Sequence, residues 1–203
     1  MNLNDYRKLS FMAFWVSLIF SIGFLFAMIP NVEFVTLLAF LAGVLLSYKN
    51  GIAVAVMGEG LYSALNPIGS GLAFPALFMS QIIGMGFIAY FGALLSKVLI
   101  NQSLTYKTRL LNGIIGALLT LSYDGITALS YPLTAGMDWS GTWKTLLVGL
   151  PFFSIHMVAN VVIFAWVMPE LIKSTHMQII QFQLQLTEKS VTDIHFNALT
   201  DKV

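Results

Sequence analysis

The sequence predicts an all-α membrane protein, a bundle of six transmembrane helices with its N- and C-termini in the cytoplasm. Three observations carry this. The 203 residues are 58% hydrophobic and only 9% charged, whereas a water-facing chain is about a quarter charged. The apolar residues fall in six runs, Phe11 to Ile29, Phe34 to Ser47, Ile52 to Leu65, Leu72 to Leu95, Leu110 to Leu133 and Thr145 to Met168, separated by short polar stretches. Every Lys and Arg except Lys144 lies on one side of the alternation these runs define, the asymmetry that marks the cytoplasmic face.

The first run is long enough for a hydrocarbon core of about 30 Å at about 1.5 Å per residue. It stops at Pro30-Asn31, which crossing leaves outside. Its charged flank resembles that of a signal peptide, but the run is too long and lacks a small-residue cleavage site, so it is expected to be retained as a span. The second and third runs are short and are broken by Tyr48-Lys49-Asn50-Gly51, the signature of a helical hairpin. Whether both cross or form a re-entrant pair, downstream parity is the same.

Asn66-Pro67-Ile68-Gly69-Ser70-Gly71 is a strong turn signal, and Pro75 suits the opening turn of the fourth span. Lys97, Lys107 and Arg109 mark the return to the cytoplasm. Gly136 to Trp143 reads as a third outer loop, with Trp139 and Trp143 as interfacial anchors. Residues 1–169 thus form one membrane domain and 170–203 a polar cytoplasmic tail, in which Gln178 to Leu186 fits a strand or an interfacial helix equally.

Ionisable groups inside spans are costly, about 2.5 to 3.5 kcal/mol or more when left toward lipid, and they face a cavity or a partner. Glu59 lies in the third run and Asp124 in the fifth. His156 and Asn160, four apart in the sixth, share one helical face. With Asn66, Trp139 and Trp143 they are the candidate substrate-binding residues. Two carboxylates with no intramembrane Lys or Arg suit a ligand bearing a basic nitrogen or several donors, and aromatics could grip its rings. The competing reading is that these groups only join helices. Ala13, Ser17 and Ser21, at four-residue spacing in the first span, form a small-residue ridge that admits another helix, either a partner's or one of this chain's own.

No phosphate loop, HExxH pair or GxSxG elbow occurs. Ser140 and His156 are separated by about 20 Å along a helix, too far for a nucleophile and its base. No enzyme is expected, nor a cofactor or metal, and the scattered cations do not form a nucleic-acid surface. The absence of Cys excludes disulfides and thiolate sites.

From Pro30-Asn31-Val32-Glu33 through Leu41 to Leu45, Asn50 to Glu59, Asn66 to Gly71 and Phe74-Pro75 to Gly84-Met85-Gly86, the chain resembles the substrate-binding (S) components of energy-coupling factor transporters, the vitamin-uptake branch of ABC importers. The resemblance covers about residues 10 to 170, the last two spans agreeing only in length and order. It implies a plasma-membrane subunit that captures a small, vitamin-like solute under its outer loops. It also implies partners: a transmembrane coupling subunit, docked at the position of Ala13, Ser17 and Ser21, and two cytoplasmic ATPases. Ser stands at 17 and 21 where that family usually has Ala. A chain without a nucleotide site would need such an external energy source. The alternatives are a membrane scaffold of the cell-shape morphogenesis type and a lipid-acting membrane enzyme.

Because the chain has no Cys, single-cysteine labelling checks the topology. Impermeant reagent should label a Cys at Gly69 or Ser140 in intact cells and miss one at Ser103; the reverse pattern sinks the orientation.

Overall fold

In hydrocarbon no solvent is available to backbone N–H and C=O groups, so an apolar chain satisfies them within its own helices. The computed structural model describes residues 3–29, 31–32 and 34–177, and no strand occurs among the described residues. Pro30, Glu33 and the stretch from Gln178 to Leu186 lie outside the described residues, as does the rest of the tail.

The elements are α1 (Leu3–Phe26), α2 (Val35–Leu65), a 3-10 turn (Gly71–Ala73), α3 (Pro75–Ile100), α4 (Tyr106–Ala128), the short α5 (Ser130–Thr134) and α6 (Trp139–Val162), followed by a π turn at Ile163–Val167. Beyond that turn the helix continues to Met177, past the expected end of the membrane domain at 169. Five helices among the described residues are long and apolar enough to cross a membrane, the organisation of a multi-pass membrane protein. The second and third apolar runs both fall in α2, which accounts for five helices against six runs.

α2 is not straight. Ser47 has φ 78 and ψ 170, outside helical geometry, and the chain doubles back there. A Cβ built on Gly51 would lie 2.6 Å from the Ala42 carbonyl oxygen and 2.7 Å from the Gly43 Cα, although nine residues of straight helix extend about 13 Å. Asn50 Nδ2 donates to the Leu46 carbonyl at 3.2 Å, serving an acceptor that the broken helix abandons. Residues 35–46 and 48–65 therefore pack as a hairpin at the sequence break expected near Tyr48.

The first half of that hairpin is the centre of the fold, with every residue from Val35 to Val44 buried. It sits backbone to backbone on α3. A Cβ on Gly43 would be 1.9 Å from the Ala89 carbonyl oxygen, and one on Gly92 2.2 Å from that of Phe40. Ile19 and Tyr62 fill the gaps at Gly58 and Gly23, so α1 lies parallel to residues 48–65. Ser63 Oγ donates to Gln81 Oε1 at 2.6 Å, tying that half to α3. Phe40 meets Phe164 at 5.3 Å between ring centroids, joining the centre to the end of α6. α4 runs antiparallel to α6.

The third outer loop is shorter than its polarity suggests. Asp138 Oδ1 accepts from the Gly141 N–H at 2.7 Å, an N-cap that starts α6 at Trp139 and places both Trp residues on its first turns. Overpacking a core costs about 1–3 kcal/mol or more, so Gly92→Leu should lower the melting temperature in detergent sharply. Gly69→Ala, with nothing within 4 Å of the new Cβ, should leave it unchanged. Ser47→Gly should raise it, because a non-glycine residue in this region costs about 1–3 kcal/mol.

Candidate functional site

Asn112, Gly116, Thr120 and Asp124 recur every fourth residue along α4, and all four are buried. That spacing makes one stripe on the helix. The stripe faces α6, where His156 and Asn160 are buried, so the α4–α6 seam is polar along its length. Gly116 permits the close approach: a Cβ there would meet the Phe164 Cβ at 2.7 Å and the Asn160 carbonyl oxygen at 2.9 Å.

At one end of the seam His156 Nδ1 and Asp124 Oδ1 form a hydrogen bond of 2.8 Å, with both side chains 9% exposed. Tyr123 presents its ring edge-on to His156 at 6.3 Å. Thr120 Oγ1 donates to the Gly116 carbonyl at 2.8 Å, which spends its proton locally. Asp124 Oδ2, both polar atoms of the Asn160 side chain and Asn112 Nδ2 are buried without a hydrogen-bond partner. A buried unsatisfied group costs about 1–3 kcal/mol. Such groups on two facing helices form a site that a polar occupant would stabilise.

The other end is closed by charge. Arg109 Nη2 donates to Glu170 Oε1 at 2.5 Å, and Nη1 reaches the carbonyls of Ala165 and Trp166 at 3.5 Å. The guanidinium lies 4.7 Å from the Trp166 ring centre. A π turn shifts carbonyls out of the helical ladder, and here Arg109 takes up two of them.

The structure thus brings Asp124, His156 and Asn160 into one seam, and it places the remaining candidates elsewhere. Glu59 is 1% exposed on the second half of α2, one residue from the Gly58 contact with Ile19 of α1. Asn66 ends α2, and its Oδ1 accepts from the Ile68 N–H at 2.9 Å, a turn-forming bond. Trp139 and Trp143 stack edge-to-face at 5.4 Å and are 73% and 48% exposed. Trp143, the nearer, stands about 20 Å along α6 from His156, so neither Trp covers the seam. Ala13, Ser17 and Ser21 are all exposed, and Ser17 Oγ donates back to the Ala13 carbonyl at 2.9 Å. The helices among the described residues leave this ridge uncovered.

Asn112, Thr120 and the Arg109–Glu170 pair are additions that the sequence reading lacked. The repeat of polar or small residues at 112, 116, 120 and 124 was the signal that could have found the first two. No group of three or more His, Cys, Asp or Glu residues that could hold a metal occurs among the described residues. No protein-family profile matches the chain, and no curated protein or solved structure matches it either.

Contacting residues couple by about 0.5–3 kcal/mol in double-mutant cycles. Asp124→Ala and His156→Ala should each lower stability, and the double variant should lose less than the sum of the two. Additive losses, measured by thermal unfolding in detergent, would separate the two residues energetically.

Proposed function

We propose that this chain is the membrane-embedded substrate-binding subunit of an energy-coupling factor type importer in the plasma membrane. It captures a small, vitamin-like solute outside and delivers it to the cytoplasm with a coupling subunit and two ATPases. The observation that carries the reading is the buried α4–α6 seam, where Asp124 and Asn160 present polar atoms that lack partners. A protein whose intramembrane polar groups served only to join helices would pair them with one another.

Two further features support it. The exposed Ala13, Ser17 and Ser21 ridge offers the close helix approach that docking on a coupling subunit requires. The α2 hairpin supplies two short antiparallel helices, and counting each as a crossing gives six spans with both termini cytoplasmic. In that orientation Lys49 lies inside with Arg109 and Glu170, and the Asp124–His156 end of the seam lies toward the outside.

Three measurements test the proposal. Purification from the native membrane should bring down two ATPase subunits and a membrane coupling subunit. Mass spectrometry of the denatured protein should release a small solute. Ser17→Leu should abolish uptake while solute binding by the isolated subunit persists. Recovery of cytoskeletal or wall-synthesis proteins in place of ATPases would support a morphogenesis scaffold and overturn the importer.

A further inference from the structure

One helical turn beyond the Asp124–His156 pair, on the side where α6 begins, a groove of about 380 Å³ opens between α3, α4 and α6. Its walls include Leu77 from α3, Thr127 and Ala128 from α4, and Val148, Phe152 and Phe153 from α6. Thr127 and Ala128 lie three and four residues past Asp124, and Phe153 and Phe152 three and four before His156. Residues at those spacings share a helix face, so the buried pair lies about 5 Å along the helix axes from the groove's inner lining residues. Val148 is 78% and Phe152 62% exposed, which leaves the groove open on the surface that lipid surrounds. Pro151, inside α6, removes a backbone N–H from the helix along this wall.

The wall is apolar and aromatic, and the group one turn further along the seam is acidic. Thr127 Oγ1 is already committed to the Tyr123 carbonyl at 2.9 Å, and Thr145 Oγ1, also on the groove, to that of Gly141 at 3.0 Å. The groove therefore offers a ligand little hydrogen bonding along its sides. Asp124 Oδ1 is held by His156, and Oδ2 is buried with no hydrogen-bond partner. Among the described residues of α4 and α6, no Lys or Arg lies within a turn of it. Arg109 and Lys144, the basic residues of α4 and α6 nearest in sequence to Asp124 and His156, stand about 22 Å and 18 Å away along their axes. Arg109 is already bound to Glu170. Tyr123, Thr120 and Asn160, which surround the pair, supply no positive charge.

We infer that this groove and the Asp124–His156 pair one turn beyond it form the solute site, and that the solute is an amphiphilic monocation. An aromatic or aliphatic body fills the groove and an ammonium nitrogen reaches Asp124 Oδ2. In this arrangement His156 Nδ1–H donates to Oδ1, which fixes the carboxylate and leaves Oδ2 for the ligand. Aromatic rings at Phe152 and Phe153 add cation–π attraction to the apolar contact. This rests on the solute-binding reading above and narrows its substrate class.

The test uses the full chain in lipid nanodiscs, with empty nanodiscs subtracted. Equilibrium dialysis compares radiolabelled 3-phenylpropylamine with 3-phenylpropanol, which has a similar body and no charge. The amine should bind saturably and at least about tenfold more tightly than the alcohol, as a charged hydrogen bond implies. Asp124→Asn should erase that preference. Val148→Trp fills the groove from an exposed position without touching the pair, and it should weaken the amine at least about tenfold at an unchanged melting temperature.

Equal binding of amine and alcohol would make the groove a seat for lipid chains and overturn the inference. So would a preference that survives Asp124→Asn, or Val148→Trp binding the amine as the parent does. None of these arms involves an ATPase or a coupling subunit. Failure of the importer reading would appear in copurification and uptake, and failure of the cation site only in dialysis.

Discussion

Gly43 and Gly92 bring the first half of α2 and α3 into backbone contact, and the other elements are arranged around that contact. Two helices whose backbones touch leave no room for side chains between them, so the pair behaves as one thick unit. Helix association in lipid depends on such close packing because the apolar surroundings give little hydrophobic drive between helices. α1 and residues 48–65 pack on each other through Ile19 and Tyr62, and they meet this unit through Val35 at Gly23 and the Ser63–Gln81 bond. α6 meets it through Phe164 against Phe40. With the packing core concentrated there, the seam between α4 and α6 is free to be polar.

That seam changes character along its length. At the α4 N-terminal end Arg109 is fully occupied by Glu170, two carbonyls and an aromatic face. Arg at such a position is a fixed fork that closes two helices together. Toward the other end the groups are fewer than their partners require, and Asp124 Oδ2 and the Asn160 amide remain unmet. Removing one partner of a buried hydrogen bond leaves the other unsatisfied at a cost of about 1–3 kcal/mol, which holds Asp124 and His156 in place even though neither adds to the apolar core. A closed, satisfied end and an under-satisfied end make this seam unlike a uniformly paired helix contact.

The helical class, the membrane composition and the break near Tyr48 were legible in the sequence because they depend on local hydropathy and turn chemistry. The shared seam of Asp124, His156 and Asn160 was legible only in part. Four-residue spacing put His156 and Asn160 on one face, but the rotation of α4 that aims Asp124 at them depends on Gly116, whose role appears only when Phe164 and Asn160 are packed against it. The Trp residues were misplaced for a different reason. Polar composition suggested a loop through Trp143, whereas the Asp138 cap starts the helix at Trp139 and turns both rings outward. Exposure of Ala13, Ser17 and Ser21 could not be read at all, since a small-residue ridge looks the same whether an internal or an external helix covers it.

The two features on which the proposed function rests lie on different sides of the central unit. α1 packs mainly on α2, and α4 packs on α6 and α3, so a coupling subunit at Ser17 would have no direct access to Asp124. Under the proposed function, a movement at Ser17 would reach Asp124 by way of residues 35–46, which meet α3 and, through Phe40, Phe164. Backbone contact of the kind at Gly43 and Gly92 cannot yield by side-chain rotation, and packed cores move as bodies instead of deforming continuously. Under that reading, a tilt of α1, α2 and α3 together against α4 and α6 would carry the coupling. Such a tilt would act where α3 meets α4 and α6, at the groove lined by Leu77, Thr127 and Phe153.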